Sequence, residues 1–482
     1  GRMPLASGHH RLTMGAPAGV ETLAVCAQPE FRPGEDPYFT GAVRFTEVGI
    51  KPDREFKFLR GYGVEHVPGF RPPASPVARS PYGGRTDVRG RKSGWFHVEQ
   101  LDGRWIFVDP DGCAFFNLSV NHFGADRVLK PKREAKFKTE TAWANHTADW
   151  LRAQGFNSVG YQEGVNTPTY ELQLERPIPY FVNGGFMMFF ARSKGFQAGA
   201  GNQGFPGDCI MPFHPDYPRF CDEYARKLTA SCRTDPYLIG YYLDNELPLP
   251  EDALVKLLAL PAEDAGHRAA AEWLAQRGVT AKPGARYSAE VLGEFFDFMF
   301  ETYLRITIAA IRRHDQHHLI CGVRANGQTA FHERFWRVIG RYTQVNSFNL
   351  YMNWTPDPNL LAKWLEWSGR PTIISEWYAK GMDTRFENVK NAGWVVRTQR
   401  DRGAFYENFA LVLMQHPAIA GFNWFRVYDD NRNNVNKGLL DDSFEEYRDL
   451  MDAVRRVNRH AYELLDHLKA RPLDTSFAAK SY

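Results

Sequence analysis

Between residues 114 and 424 one pattern recurs eight times: a short apolar run rich in β-branched and aromatic residues, each closed by polar residues, Gly or Pro. The runs are 114–121, 156–160, 178–182, 237–246, 318–324, 345–351, 371–377 and 418–424. Strands buried on both faces of a parallel sheet read in this way. Between the runs lie helical stretches, at 139–154, 217–231 and 289–313, and a last one at 445–468 follows them. In the third, Leu292, Phe295, Phe296, Met299 and Phe300 recur at helical spacing. Eight strands alternating with helices predict an α/β chain folded as a (β/α)8 TIM barrel. A doubly wound open sheet is the runner-up, but no GxGxxG or GxxxxGK[ST] follows an early strand to cradle a phosphate.

Residues 1–90 are rich in Pro, Gly and Arg and lack helical periodicity. A β-like piece at 42–50 makes this zone a short β-rich or irregular N-terminal appendage, with 72–76 as its linker. Residues 91–482 form the expected barrel domain. Its lead-in is a hairpin, 95–98 and 105–108, turning at Asp102-Gly103. The stretch 250–287 is long for a strand-to-helix connection and partly helical, which places an insertion near the mouth.

Composition excludes several classes. Net charge is +3, from 59 basic and 56 acidic residues, with no basic block, so no nucleic-acid partner is expected. No run of about 18 apolar residues exists, so no membrane span is expected. The start, Gly1-Arg2-Met3-Pro4, does not read as a signal peptide. The six cysteines, Cys26, Cys113, Cys209, Cys221, Cys232 and Cys321, form no CxxC pair and read as buried free thiols, with a disulfide left open. HExxH and GxSxG are absent, and His9-His10 and His317-His318 are poorly arranged for one metal, so neither a metal nor a cofactor is expected. The loop 429–434 lacks EF-hand spacing and reads as a cleft loop.

Two acids carry the chemistry. Glu246 ends the fourth run and Glu376 lies near the end of the seventh. In one barrel both would meet at the C-terminal mouth, where barrel enzymes act. Facing carboxyls suit glycosidic bond cleavage, in which one donates a proton and the other attacks or stabilises the anomeric carbon. Further candidates for sugar contacts are Asn121 and His122 after the first strand, Arg324 and Asn326 after the fifth, and Asn349 on the sixth. Trp354 and Trp377 are candidates for stacking on sugar rings.

The Asn245-Glu246 pair on the fourth strand and Glu376 on the seventh resemble the pattern of clan A glycoside hydrolases. The resemblance covers roughly residues 93–470. It implies Glu246 as acid/base, Glu376 as nucleophile of a retaining mechanism, and Asn245 as ligand of the sugar 2-hydroxyl. It further implies that Tyr351 hydrogen-bonds the nucleophile and that Trp424 forms the sugar platform. Within the clan, the segments 240–247, 102–112 and 436–441 are similar to the agarases of glycoside hydrolase family fifty. The implied substrate is a β-linked galactan of agar type, and the implied location secreted or periplasmic. That family commonly carries an N-terminal β-sandwich, for which the zone before the barrel is too short. An exo-β-glycosidase of the same clan, such as a β-galactosidase, and a catalytically dead carbohydrate-binding barrel are the alternatives. Oligomeric state stays open.

Overall fold

The computed structural model describes residues 43–124, 127–160, 174–199, 201, 203–281 and 284–478. Cys26, His9-His10 and the first 42 residues of the appendage lie outside them.

At the centre is a curled, all-parallel sheet of nine strands. In chain order these are β7 (Asn117–Val120), β8 (Ser158–Val159), β9 (Tyr180–Asn183), β10 (Leu238–Tyr242), β11 (Leu319–Ile320), β12 (Ala325–Asn326), β13 (Asn346–Asn349), β14 (Thr372–Trp377) and β17 (Ile419–Trp424). The first and last of them, β7 and β17, are direct neighbours. The two edges, β11 and β12, are halves of the single run read as the fifth strand. The reason for the break is local. Gly322 has φ +79 and Arg324 φ +49, conformations that cannot continue a strand. A Cβ on Gly322 would stand 2.9 Å from Ser347 Oγ, so the turn also needs glycine's missing side chain. Across the break, Leu243 N–H donates to Gly322 O at 2.8 Å and Gln344 N–H to Ile320 O at 3.2 Å.

Helices cover the outside of the curl. Glu140–Ala153 starts on its Thr139 cap, and Ala289–His314 on Ser288, both close to the expected bounds. The expected last helix is two, Arg448–Asn458 and Ala461–Ala470. The 250–287 insertion holds two short helices, Ala253–Leu258 and Ala265–Ala275. No helix among the described residues is long and apolar enough to cross a membrane.

The lead-in hairpin, β4 (His97–Leu101) and β5 (Arg104–Val108), joins β6 (Cys113–Phe115) and β3 (Arg85–Arg89) in a four-stranded sheet. Its Phe96, Phe107 and Phe115 pack with Phe181, Ile239, Val345, Ile373 and Ala420. Those partners sit near the N-terminal ends of their strands, so the hairpin fills that end of the curl and leaves the C-terminal end for chemistry.

The described part of the appendage is bound into later structure. β1 (Arg44–Gly49) and β2 (Phe56–Gly61) form a hairpin, and β1 pairs with β16 (Trp394–Val396), which runs beside β15 (Ala379–Gly381). Buried Asn408 accepts from Tyr62 N–H at 2.9 Å and donates to Trp354 O at 2.8 Å. Five of the cysteines, Cys113, Cys209, Cys221, Cys232 and Cys321, are buried free thiols, as the sequence suggests.

Candidate active site

The C-terminal ends of β10, β13 and β14, with Arg324 just ahead of β12, bring six of the candidate residues into one hydrogen-bonded network. Glu376 is 5% exposed and accepts two donors: Arg324 Nη2 at 2.6 Å on Oε1 and Tyr351 O–H at 2.7 Å on Oε2. Each oxygen has its own donor, so the carboxylate is fixed in direction as well as position. Asn349 joins this group to Glu246. Its amide donates to Glu246 Oε1 and to Asn245 Oδ1, both at 3.1 Å. Its oxygen accepts from Ser375 O–H at 2.7 Å.

Glu246 has φ +53, so the backbone turns sharply at the strand end and presents the side chain to the mouth. Burial, and then the charge of Glu376, raise its pKa above the usual carboxylate value. The Asn349 hydrogen bond, the charge of Arg324 and the backbone of Gly201 oppose that rise in part. One carboxyl is thus pushed toward its protonated form beside a second that is held by two donors, which is how a carboxyl pair divides acid from nucleophile.

Tyr351→Phe is expected to lower kcat about 10- to 100-fold, the value of a hydrogen bond to a charged group, with little change in KM. Steady-state kinetics on a cleaved substrate check this.

Asp244, just ahead of the Asn-Glu pair, serves the scaffold. It is fully buried and accepts from the N–H groups of Met187 and Met188, at the start of the helix Phe186–Ser193, and from Tyr303 O–H at 2.7 Å. Asp244→Ala leaves those donors unpaired and is expected to cost about 2 kcal/mol or more, read from denaturant unfolding.

Other expected site residues fall elsewhere. Asn121 is fully buried and ties strands together, donating to Ser375 O at 2.8 Å and accepting from Asn423 at 3.2 Å. His122 has φ +55 and its ring meets Phe425 edge-on at 5.0 Å. Burial and the cations Arg426, Arg324 and Lys437 hold its pKa well below the usual histidine value, so it is neutral. Asn326 ends β12, half-buried, and its side chain is not in the Glu246–Glu376 network.

The tryptophans require correction. Trp424 and Trp377 are fully buried and meet at 5.0 Å, with Trp377 stacked on Phe409 of the helix Gln399–Gln415. Trp354 is also buried, against Phe405. These rings face the outer helices, so none offers a face to a sugar. The cause is the two-residue period of a strand. Asn423 points into the curl, toward Asn121 and Tyr242. Trp424 therefore points out, and Phe425 comes next on the inner side. Phe425 is half-buried between His122 and Tyr378. The alternation around Asn423 was the signal that could have found it.

Sequence reasoning also missed Lys437. Its ammonium lies 5.1 Å from the Phe425 ring centre and 5.3 Å from that of Tyr378, and it pairs with Asp430 at 3.0 Å. The acids of the 429–434 loop are consumed in this way: Asp429 accepts from the backbone N–H of Lys437 and Gly438 and from Asn436. Among the described residues no cluster of His, Cys, Asp and Glu could hold a metal ion.

The curled parallel sheet is a fold shared with solved structures of glycoside hydrolases. Among known proteins the chain is similar to agarases. It is 23% identical over 487 aligned positions to beta-agarase B of Vibrio sp. (strain JT0107), a match covering 80% of this chain and 50% of that protein. The chain therefore spans about half the length of this curated relative. The crystal structure of BpGH50 superposes with a TM-score of 0.78 at 23% identity, covering 89% of this chain and 96% of that one. The structure of an exo-beta-agarase gives 0.66 at 17% identity, covering 82% and 69%. No family model matches the chain.

Proposed function

We propose that this protein is a retaining β-glycoside hydrolase acting on β-linked, agar-type galactan. The observation that carries the reading is the linked carboxyl pair: Glu376 on Arg324 and Tyr351, joined through Asn349 to a Glu246 whose proton is favoured by burial. Likeness to agarases supports the choice of galactan. Residues 91–482 form the catalytic unit, a (β/α)8 barrel closed through the bent segment 319–326.

In the first step Glu246 protonates the glycosidic oxygen while Glu376 attacks the anomeric carbon. The C–O bond breaks, and a covalent glycosyl-Glu376 ester forms. In the second step Glu246, now a carboxylate, takes a proton from water, which attacks the same carbon and releases Glu376. Asn245, next to Glu246, is suited to a hydroxyl beside this carbon, while Asn349 holds Asn245 and Glu246 in place. Phe425 supplies the aromatic face for the ring. Action on a polysaccharide favours a secreted or periplasmic location.

The test is NMR of the first anomer released from neoagaro-oligosaccharides, run beside a panel of aryl β-glycosides. A β-anomer from the agar oligomer is the expected result. Initial release of the α-anomer would sink the retaining mechanism. Cleavage confined to an aryl glycoside would move the substrate, and no cleavage at all would favour a binding barrel.

A further inference from the structure

A cavity of about 260 Å³ lies outside the curled sheet, between the helices Lys130–Phe137 and Glu140–Ala153 and the segment 440–446. Tyr428 and Phe444 form its floor, and Phe137, Trp150 and His146 its walls. The rings are set against one another, with Phe137 edge-on to Phe444 at 5.3 Å and tilted against His146 at 5.1 Å. The polar rim is organised in advance. Trp150 N–H donates to Glu446 at 3.3 Å, and Lys136 donates to Glu445 at 2.7 Å and to the carbonyls of Ser443 and Phe444. His146 is exposed, and its ring nitrogens have no hydrogen-bond partner among the described residues.

We infer that this pocket is a second carbohydrate site, which binds one pyranose unit of a neutral galactan chain away from the catalytic carboxyls. The inference rests on the galactan reading above. Three features select a sugar. The volume falls just below the ~300–1,000 Å³ of drug-sized ligand sites, a scale that suits a single ring. Aromatic walls match the C–H faces of a pyranose, and the His146 ring nitrogens and the Glu446 carboxylate offer polar partners for its hydroxyls. An anion would meet Glu445 and Glu446, and a hydrocarbon chain would strand the charged rim without water. The pocket also shares a loop with the active site: Tyr428 in its floor is two residues from Asp430, which holds Lys437. A polymer strand held here would be retained near the mouth between cleavages.

The test is affinity electrophoresis in native gels cast with agarose, on a Glu376→Ala background that leaves the matrix intact. Trp150→Ala is expected to weaken the apparent affinity for the gel roughly 3- to 10-fold, and His146→Ala to weaken it in the same direction by less. In the otherwise wild-type enzyme both variants keep kcat/KM on a short neoagaro-oligosaccharide unchanged, with KM for the polymer raised. Trp150→Leu, which keeps an apolar side chain at this position, gives the same result if the alanine variant does not fold. Retardation unaltered by Trp150 and His146 substitutions overturns the site. Hydrolysis lost in the wild type with pocket-dependent retardation intact would instead overturn the catalytic reading and support the site, so the two failures read differently.

Discussion

Glu376→Ala is expected to lower kcat on the order of 10⁴-fold or more, because in the proposed mechanism it removes the atom that bonds to the anomeric carbon. The network around it makes the result specific. Arg324 and Tyr351 each direct one donor at Glu376, and truncation leaves a small space beside both. Azide is small enough to enter such a space and attack from the same side. The expected rescue product is an α-glycosyl azide, since one displacement inverts the anomeric centre. A β-glycosyl azide would exclude Glu376 as nucleophile. Full activity in the unrescued variant would remove it from the chemistry altogether.

Glu246→Gln is expected to cost 10²- to 10⁴-fold in kcat on a natural glycoside, the usual worth of a positioned acid. The loss shrinks on aryl glycosides whose leaving group needs no proton. The pH profile gives an independent readout. Burial and Glu376 raise the Glu246 pKa, and the acid works only while protonated. Activity in the wild type therefore falls as pH rises through that raised value. The Gln variant loses this alkaline limb. Stability follows the same direction with pH. A carboxyl whose folded pKa is raised contributes its full stability below the unfolded pKa and loses it as pH rises through the folded one. The Gln variant should thus gain in thermal stability over the wild type on the alkaline side, and an unchanged difference across pH would contradict the shift.

Much of this was legible in the residues. The strand runs, their order and the two carboxyls could be read because buried parallel strands announce themselves by composition alone. Arg324 and Asn349 were named from their positions on the strands, and Asn245 and Tyr351 from the resemblance to clan A glycoside hydrolases. The misreadings share a cause. A run's composition does not say which of its faces turns inward, so Trp424 and Trp377 were placed in the cleft when strand parity puts them on the helix side. The break in the fifth strand depends on Ser347, a residue 25 positions after Gly322 and visible only once the strands pair. The docking of β1 on β16 is likewise a long-range pairing with no local signature. Lys437 looked like one more loop cation, because its acid partner and its two aromatic neighbours are set by the fold.

The adjacency of β7 and β17 has a consequence for how the chain is made. These neighbours lie about 300 residues apart in sequence. At ~5–20 residues per second, a ribosome needs roughly 15–60 s to deliver the second after the first. Throughout that interval the nascent chain carries a parallel strand edge without its mate, and the hairpin of β1 and β2 waits slightly longer still for β16. Folding on the ribosome must therefore pass through a stage with open, apolar edges, the condition that invites aggregation and chaperone capture. Overexpression yield should respond to translation speed and temperature more than to small changes in final stability.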